Sequence, residues 1–196
     1  MSGARGITRR AVLGAGGAAV LAAGAAVRAA EDGLAAFARG GRVLLMRHAL
    51  APGVGDPPGF RLEDCGTQRN LSEAGRAQAR RLGERLRAAG VARARVLTSR
   101  WCRARDTAAL LGLGTPEPFE PLDSFFAEPG RRASSTDRLG AFLAGLPRDG
   151  GPIVLVTHQV NITALTGRVP ESGEALVLRL DGTASPPVEA RVTTEF

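Results

Sequence analysis

Arg42-Val43-Leu44-Leu45-Met46-Arg47-His48 and Ile153-Val154-Leu155-Val156-Thr157-His158 share one design. Each is a short, uninterrupted apolar stretch with a histidine immediately beyond it. Runs of this kind mark strands buried on both faces, which need helices packed above and below. The intervening chain supplies them. Pro52 to Gly59 is dense in proline and glycine and predicts loop. Ser72 predicts a helix cap, with Glu73 in the first turn. Ala79, Leu82, Leu86 and Ala89 then recur at helical spacing, while Arg80, Arg81, Glu84 and Arg87 face water. Val96-Leu97 predicts a short strand, followed by a helix through Leu110 and Leu111. Thr115-Pro116-Glu117-Pro118 predicts a break, Asp137 to Leu146 a helix, and Ala175 to Leu180 a further strand. Strands alternating with helices predict an α/β fold, a three-layer α/β/α sandwich around a mostly parallel central sheet.

Composition narrows the chemistry. The chain has 196 residues, and its 26 basic residues are all arginine, so no lysine Schiff base or lysine-bearing P-loop is available. Aromatic residues make up 4% with no tyrosine, which leaves little for stacking nucleic-acid bases. The two cysteines are too few for a disulfide scaffold or a four-thiolate zinc site. The net charge of +7 is uneven. Residues 1–29 hold four arginines and no acid, and the remainder sets 22 arginines against 19 acids, a balance of +3. That is no electrostatic footprint for nucleic acid. Arg9-Arg10 before a weakly apolar run to Val27 resembles a twin-arginine export signal, with Val27-Arg28-Ala29 as the cleavage site. An uncleaved anchor is the alternative, but alanine and glycine insert poorly. The expected organisation is a signal over 1–29, the only membrane association foreseen, and one domain over 30–196. Export predicts a periplasmic or secreted bacterial protein.

In parallel sheets, ligands gather at the carboxyl ends of the strands. The chain's two histidines, His48 and His158, both lie there. One lone histidine is more often structural; two at strand ends, one preceded by arginine, point to a site. Their surroundings resemble the histidine phosphatase superfamily, the phosphoglycerate-mutase-like fold. Arg47-His48-Ala49 falls where that family has Arg-His-Gly. Asn70-Leu71-Ser72-Glu73-Ala74-Gly75 with Gln78-Ala79 matches its following helix start. Thr98-Ser99-Arg100-Trp101-Cys102-Arg103 with Thr107-Ala108 follows its Ser-Pro-x-x-Arg-x-x-x-Thr-Ala pattern, with Arg100 in place of proline. Val156-Thr157-His158 is the second histidine segment. The Cys65 to Ser72 and Thr157 to Asn161 stretches look like a small exported branch of the family.

The resemblance implies a metal-independent phosphatase. His48, as neutral imidazole, attacks phosphorus and becomes phosphohistidine; Arg47 and Arg103 clamp the phosphoryl oxygens; His158, protonated beside a dianion, adds a third charged donor. No cofactor or metal is expected. The histidine pair lacks the clustered acid or thiol that would complete a zinc site. The proton donor is less well marked. In Leu122-Asp123-Ser124-Phe125-Phe126-Ala127-Glu128, serine takes the slot where relatives have glutamate, leaving Asp123 as first choice and Glu128 as second, with two surface acids as the bland alternative. Arg69 is a further substrate-binding candidate, as are Arg131 and Arg132. Cys65 and Cys102 flank site segments and are either a disulfide or two thiols. The expected partner is a small phosphorylated substrate, sugar phosphates among the candidates. The rival readings are a phosphate-binding module without turnover, and a hydrolase of phosphohistidine or phosphoanhydrides, whose leaving groups need little protonation.

Overall fold

The computed structural model describes residues 28–193. Its six strands are β1 (Arg42–Arg47), β2 (Arg95–Thr98), β3 (Pro116–Pro118), β4 (Ile153–Thr157), β5 (Ala175–Arg179) and β6 (Val188–Val192). They form one sheet in the order β3-β2-β4-β1-β5-β6. The first four are mutually parallel, and β5 and β6 add an antiparallel edge beside β1. The helices are α1 (residues 28–38), α2 (Glu73–Ala88), α3 (Cys102–Leu111), α4 (Arg132–Ala144) and α5 (Gln159–Thr166).

Alternation along the strands builds two cores. Leu44 and Met46 of β1, with Val154 and Val156 of β4, pack against Leu34 and Phe37 of α1, Leu82 and Leu86 of α2, and Ala108 and Leu111 of α3. Val43, Leu45, Ile153 and Leu155 point the other way, against Leu139 and Leu143 of α4 and Ile162 and Leu165 of α5. The result is the three-layer sandwich expected from the strand runs. Ser72 caps α2 by accepting the Gly75 N–H, with Glu73 favourably placed in the first turn.

The structure departs from the sequence reading at several elements. Thr115 to Pro118 is not simply a break, because Pro116–Pro118 pairs with β2 as an edge strand. An edge strand is bonded on one side only, so missing proline N–H groups are tolerated there. Helix α4 begins five residues before Asp137, after a tight turn at Pro129–Arg131 and without a side-chain cap. Helices α1 and α5 and strand β6 were not anticipated. The signal proposed over residues 1–29 lies almost entirely outside the described residues. Ala30, Leu34 and Phe37 of α1 are already buried. Among the described residues no helix is long and apolar enough to cross a membrane.

Two glycines set the close approach of α2 to its neighbours. A Cβ on Gly83 would lie 2.1 Å from the Leu111 carbonyl oxygen, and one on Gly75 equally close to that of Leu50. Backbone cannot yield as a flexible side chain can. Gly83→Ala is therefore expected to lose about 1–3 kcal/mol in urea unfolding. Gly151→Ala, with nothing within 4 Å of the added methyl, should stay within about 0.5 kcal/mol of the parent.

Candidate active site

Parallel pairing of β1 with β4 sets Arg47 opposite Thr157, and the His48 N–H donates to the Thr157 carbonyl at 2.9 Å. The residues beyond these two strand ends are thereby brought together. His48 and His158 are both buried, with ring centroids 5.3 Å apart. On the other side of β4, β2 ends at Thr98 and leads through Ser99 and Trp101 into α3, whose first turn holds Arg103. Thr107 locks this helix to the first histidine loop. Its hydroxyl donates to the Arg103 carbonyl and accepts the Ala49 N–H at 3.0 Å.

The hydrogen bonds fix the imidazole tautomer. The Nδ1–H of His48 donates to the Ala49 carbonyl at 2.8 Å, leaving the lone pair on Nε2. Arg103 Nε donates to that Nε2 at 3.3 Å. The Arg103 Nη2 lies 3.5 Å from His158 Nδ1, so one guanidinium touches both rings. The Arg47 Nη1 donates to the Pro170 carbonyl, while its buried Nε has no protein partner. Arg69 donates from Nε to the Gly55 carbonyl at 2.7 Å and from Nη1 to that of Ala51. Arg47, Arg69 and Arg103 line one cavity of about 330 Å³ with the two histidines.

Burial, together with the charges of Arg103, Arg69 and Arg47, drives the His48 pKa down to about 3 against the opposing pull of its Ala49 bond. His158 is held well below its ordinary value by burial, His48 and the same arginines. Both rings are neutral in the ligand-free site. Burial likewise lowers Arg69 to about 10, aided by Arg103 and Arg47 and opposed by Asp56.

Asp56 was missed in the sequence. It is a lone acid inside the loop between Gly55 and Pro57. Its carboxylate accepts from Arg103 Nη1 at 2.7 Å, Arg69 N–H at 3.1 Å and Trp101 Nε1 at 3.0 Å. Burial disfavours its charge, but the Arg103 bond and charge, with the other two donors, hold its carboxyl below the ordinary range. An acid in the loop eight residues beyond the first histidine was the only signal available.

Asp123, first choice for the proton donor, does not line the cavity. Its buried carboxylate accepts from Arg100 N–H at 2.8 Å, Arg100 Nε at 2.7 Å and Ser99 Oγ at 3.3 Å. Arg100, the residue standing where proline was expected, takes this acid out of reach. Asp123 meets the site only through Ser99, whose Oγ lies 2.8 Å from His158 Nε2. Glu128 does line the cavity. Arg131 pairs with Glu120 instead, and neither it nor Arg132 reaches the cavity. Cys65 and Cys102 form a disulfide, with Cα atoms 5.7 Å apart, which ties the loop bearing Asp56 and Arg69 to the first residue of α3. Among the described residues no group of three or more histidine, cysteine or acid side chains is placed to hold a metal ion.

Residues 43–126 match the family model "Histidine phosphatase superfamily (branch 1)". Over that stretch the chain is similar to the superfamily. The match includes Arg47, His48, Arg69 and Arg103, and the fold brings His158 to them from beyond it. Solved structures share this fold. The protein histidine phosphatase SixA complexed with tungstate is 19% identical, with a TM-score of 0.55 over 78% of this chain and 97% of that one. The product of the open reading frame Rv3214 from Mycobacterium tuberculosis is also 19% identical, with a TM-score of 0.57 over 79% and 98%. The phosphoglycerate mutase of Thermus thermophilus is 22% identical, with a TM-score of 0.52 over 79% and 99%. No curated protein matches the chain significantly.

Both histidines should stay uncharged in the free protein well below pH 6.5. An unfolded imidazole binds its proton near 6.5, so acidification from there toward the folded values favours unfolding, by up to about 1.4 kcal/mol per pH unit for each ring. With two histidines in the chain, imidazole 15N spectra are simple to assign. We expect neither ring to titrate between pH 8 and 5, and inorganic phosphate to raise the pKa of His158. A free-state midpoint near 6.5 for either ring would contradict the electrostatic account.

Proposed function

We propose that this protein is a metal-independent phosphatase that hydrolyses phosphomonoesters through a phosphohistidine on His48. One observation supports this above the rest. The Ala49 carbonyl holds the Nδ1–H of His48, so its Nε2 lone pair is presented among three arginines. In the first step Nε2 attacks phosphorus, the bond from phosphorus to the ester oxygen breaks, and that oxygen takes a proton. In the second, water attacks phosphorus, the phosphorus–nitrogen bond breaks, and phosphate leaves. Arg47 and Arg103 match the charge spread over the equatorial oxygens. His158, neutral when the site is empty, gains a proton beside the dianion and becomes a further donor.

Of the two cavity-lining acids, Asp56 is ion-paired to Arg103, and Glu128 has no ion pair among the described residues. We assign Glu128 as the donor to the leaving oxygen. Its exposure at the cavity mouth also supports the second reading, a hydrolase of phosphohistidine or phosphoanhydrides, which makes little demand on an acid. The twin arginines at Arg9 and Arg10 and the Cys65–Cys102 disulfide support export to an oxidising compartment.

Turnover of p-nitrophenyl phosphate is expected to survive EDTA and to fall at least about a thousandfold in His48→Ala. Glu128→Gln should slow an alkyl phosphate by about a hundredfold while changing p-nitrophenyl phosphate only a few-fold, because nitrophenolate leaves without a proton. Equal effects on both substrates would remove Glu128 from the donor role. Phosphate binding with no turnover of either would leave a binding module.

A further inference from the structure

The inner end of the cavity is cationic, and its mouth has a different character. Among the described residues, three large hydrophobic side chains are exposed: Val54 at 86%, Phe126 at 55% and Val169 at 57%. Val54 and Phe126 both line this one cavity. A single exposed apolar side chain needs no explanation, but two at one concavity form a patch of the kind that ligands cover. Phe126 lies over Gly55, where an added Cβ would stand 3.6 Å from its ring carbon Cε1. Phe60 and Trp101, with ring centroids 5.9 Å apart, line the cavity as well. Trp101 in turn meets His158 edge-on at 5.6 Å, which links the aromatic wall to the phosphoryl end.

Polar groups outside the cationic end are few. Glu128 and Gln159 stand at the mouth, and the Ser124 hydroxyl already accepts the Phe126 N–H at 3.3 Å. A sugar ring presents several hydroxyls, each losing water on entry and each needing a partner in return. This mouth offers them little. An apolar body, by contrast, would cover surface that is otherwise exposed to water. A cavity of about 330 Å³ is at the small end of ligand pockets and suits a phosphoryl group joined to a compact organic part.

We propose that the site selects small phosphomonoesters whose organic part is aromatic or branched and apolar. That part is seated against Val54, Phe60, Trp101 and Phe126 while the phosphoryl group meets Arg47, Arg69 and Arg103. The inference rests on the phosphatase reading for turnover, and on the cavity alone for binding. It moves the expected substrate away from the sugar phosphates.

The test compares ligands that differ in the apolar body but not in the chemistry of the leaving oxygen. For turnover, kcat/KM is measured for 2-phenylethyl phosphate and ethyl phosphate, both of which release an alkoxide. For binding, calorimetry compares 2-phenylethylphosphonate with ethylphosphonate, which cannot be hydrolysed. The phenyl member is expected to be favoured at least tenfold in each pair. Phe126→Ser combined with Val54→Ser should bring both ratios below about three. Val169→Ser, an exposed apolar residue outside the cavity, should leave them unchanged. A ratio near one in the parent protein overturns the proposal, as does a ratio that survives the double substitution. If neither ester turns over, the phosphatase reading fails and the phosphonate ratio decides this inference by the same thresholds. Failure of both phosphonates to bind overturns it outright.

Discussion

Three guanidinium groups converge on one small cavity, and the protein must hold them there with no bound anion to offset their charge. Like charges in a space partly closed to water repel, and burial adds to the cost. The surrounding structure offsets this in three ways. Asp56 supplies a countercharge to Arg103. Backbone carbonyls of Pro170, Gly55 and Ala51 accept from Arg47 and Arg69. Both imidazoles give up their protons, so that no further positive charge is added. The empty site is thus a cationic receptacle with two neutral imidazoles at its base. In the phosphatase reading proposed above, entry of a dianion relieves the repulsion.

The geometry depends on secondary structure more than on the site residues themselves. Parallel pairing of β1 and β4 determines that the residues following both strands share one end of the sheet. The Thr107 hydroxyl and the Cys65–Cys102 disulfide then fasten α3 and the long loop to that end. Arg103, Asp56 and Arg69 are consequently positioned by covalent and hydrogen-bonded ties outside the cavity. Behind His158, Ser99 connects the ring to the Arg100–Asp123 pair, a buried acid whose contacts orient an imidazole at one remove.

Much of this was legible in the sequence because the strongest signals are local. Continuous apolar runs marked β1 and β4, and the histidines beyond them marked the site. The Ser72 cap and the spacing of Leu82 and Leu86 marked α2. The features that escaped notice are those whose meaning depends on partners. Pro116 and Pro118 forbid a central strand, yet an edge position accepts them. Helix α5 is eight residues long, and its Gln159, Asn161 and Thr163 blur the helical pattern. Asp56 sits in a loop whose path across the cavity no spacing rule predicts. Asp123 was chosen by spacing, which could not show that Arg100 and Ser99 would occupy its carboxylate.

The central claim is that His48 attacks through Nε2, its Nδ1 being tied to the Ala49 carbonyl. The direct measurement is to quench the protein in base within milliseconds of mixing with an aryl phosphate and to locate the phosphoryl group. Phosphate on His48 alone, bonded to Nε2, is the result this account predicts. Phosphate on Nδ1, on His158 or on no residue at all would contradict it.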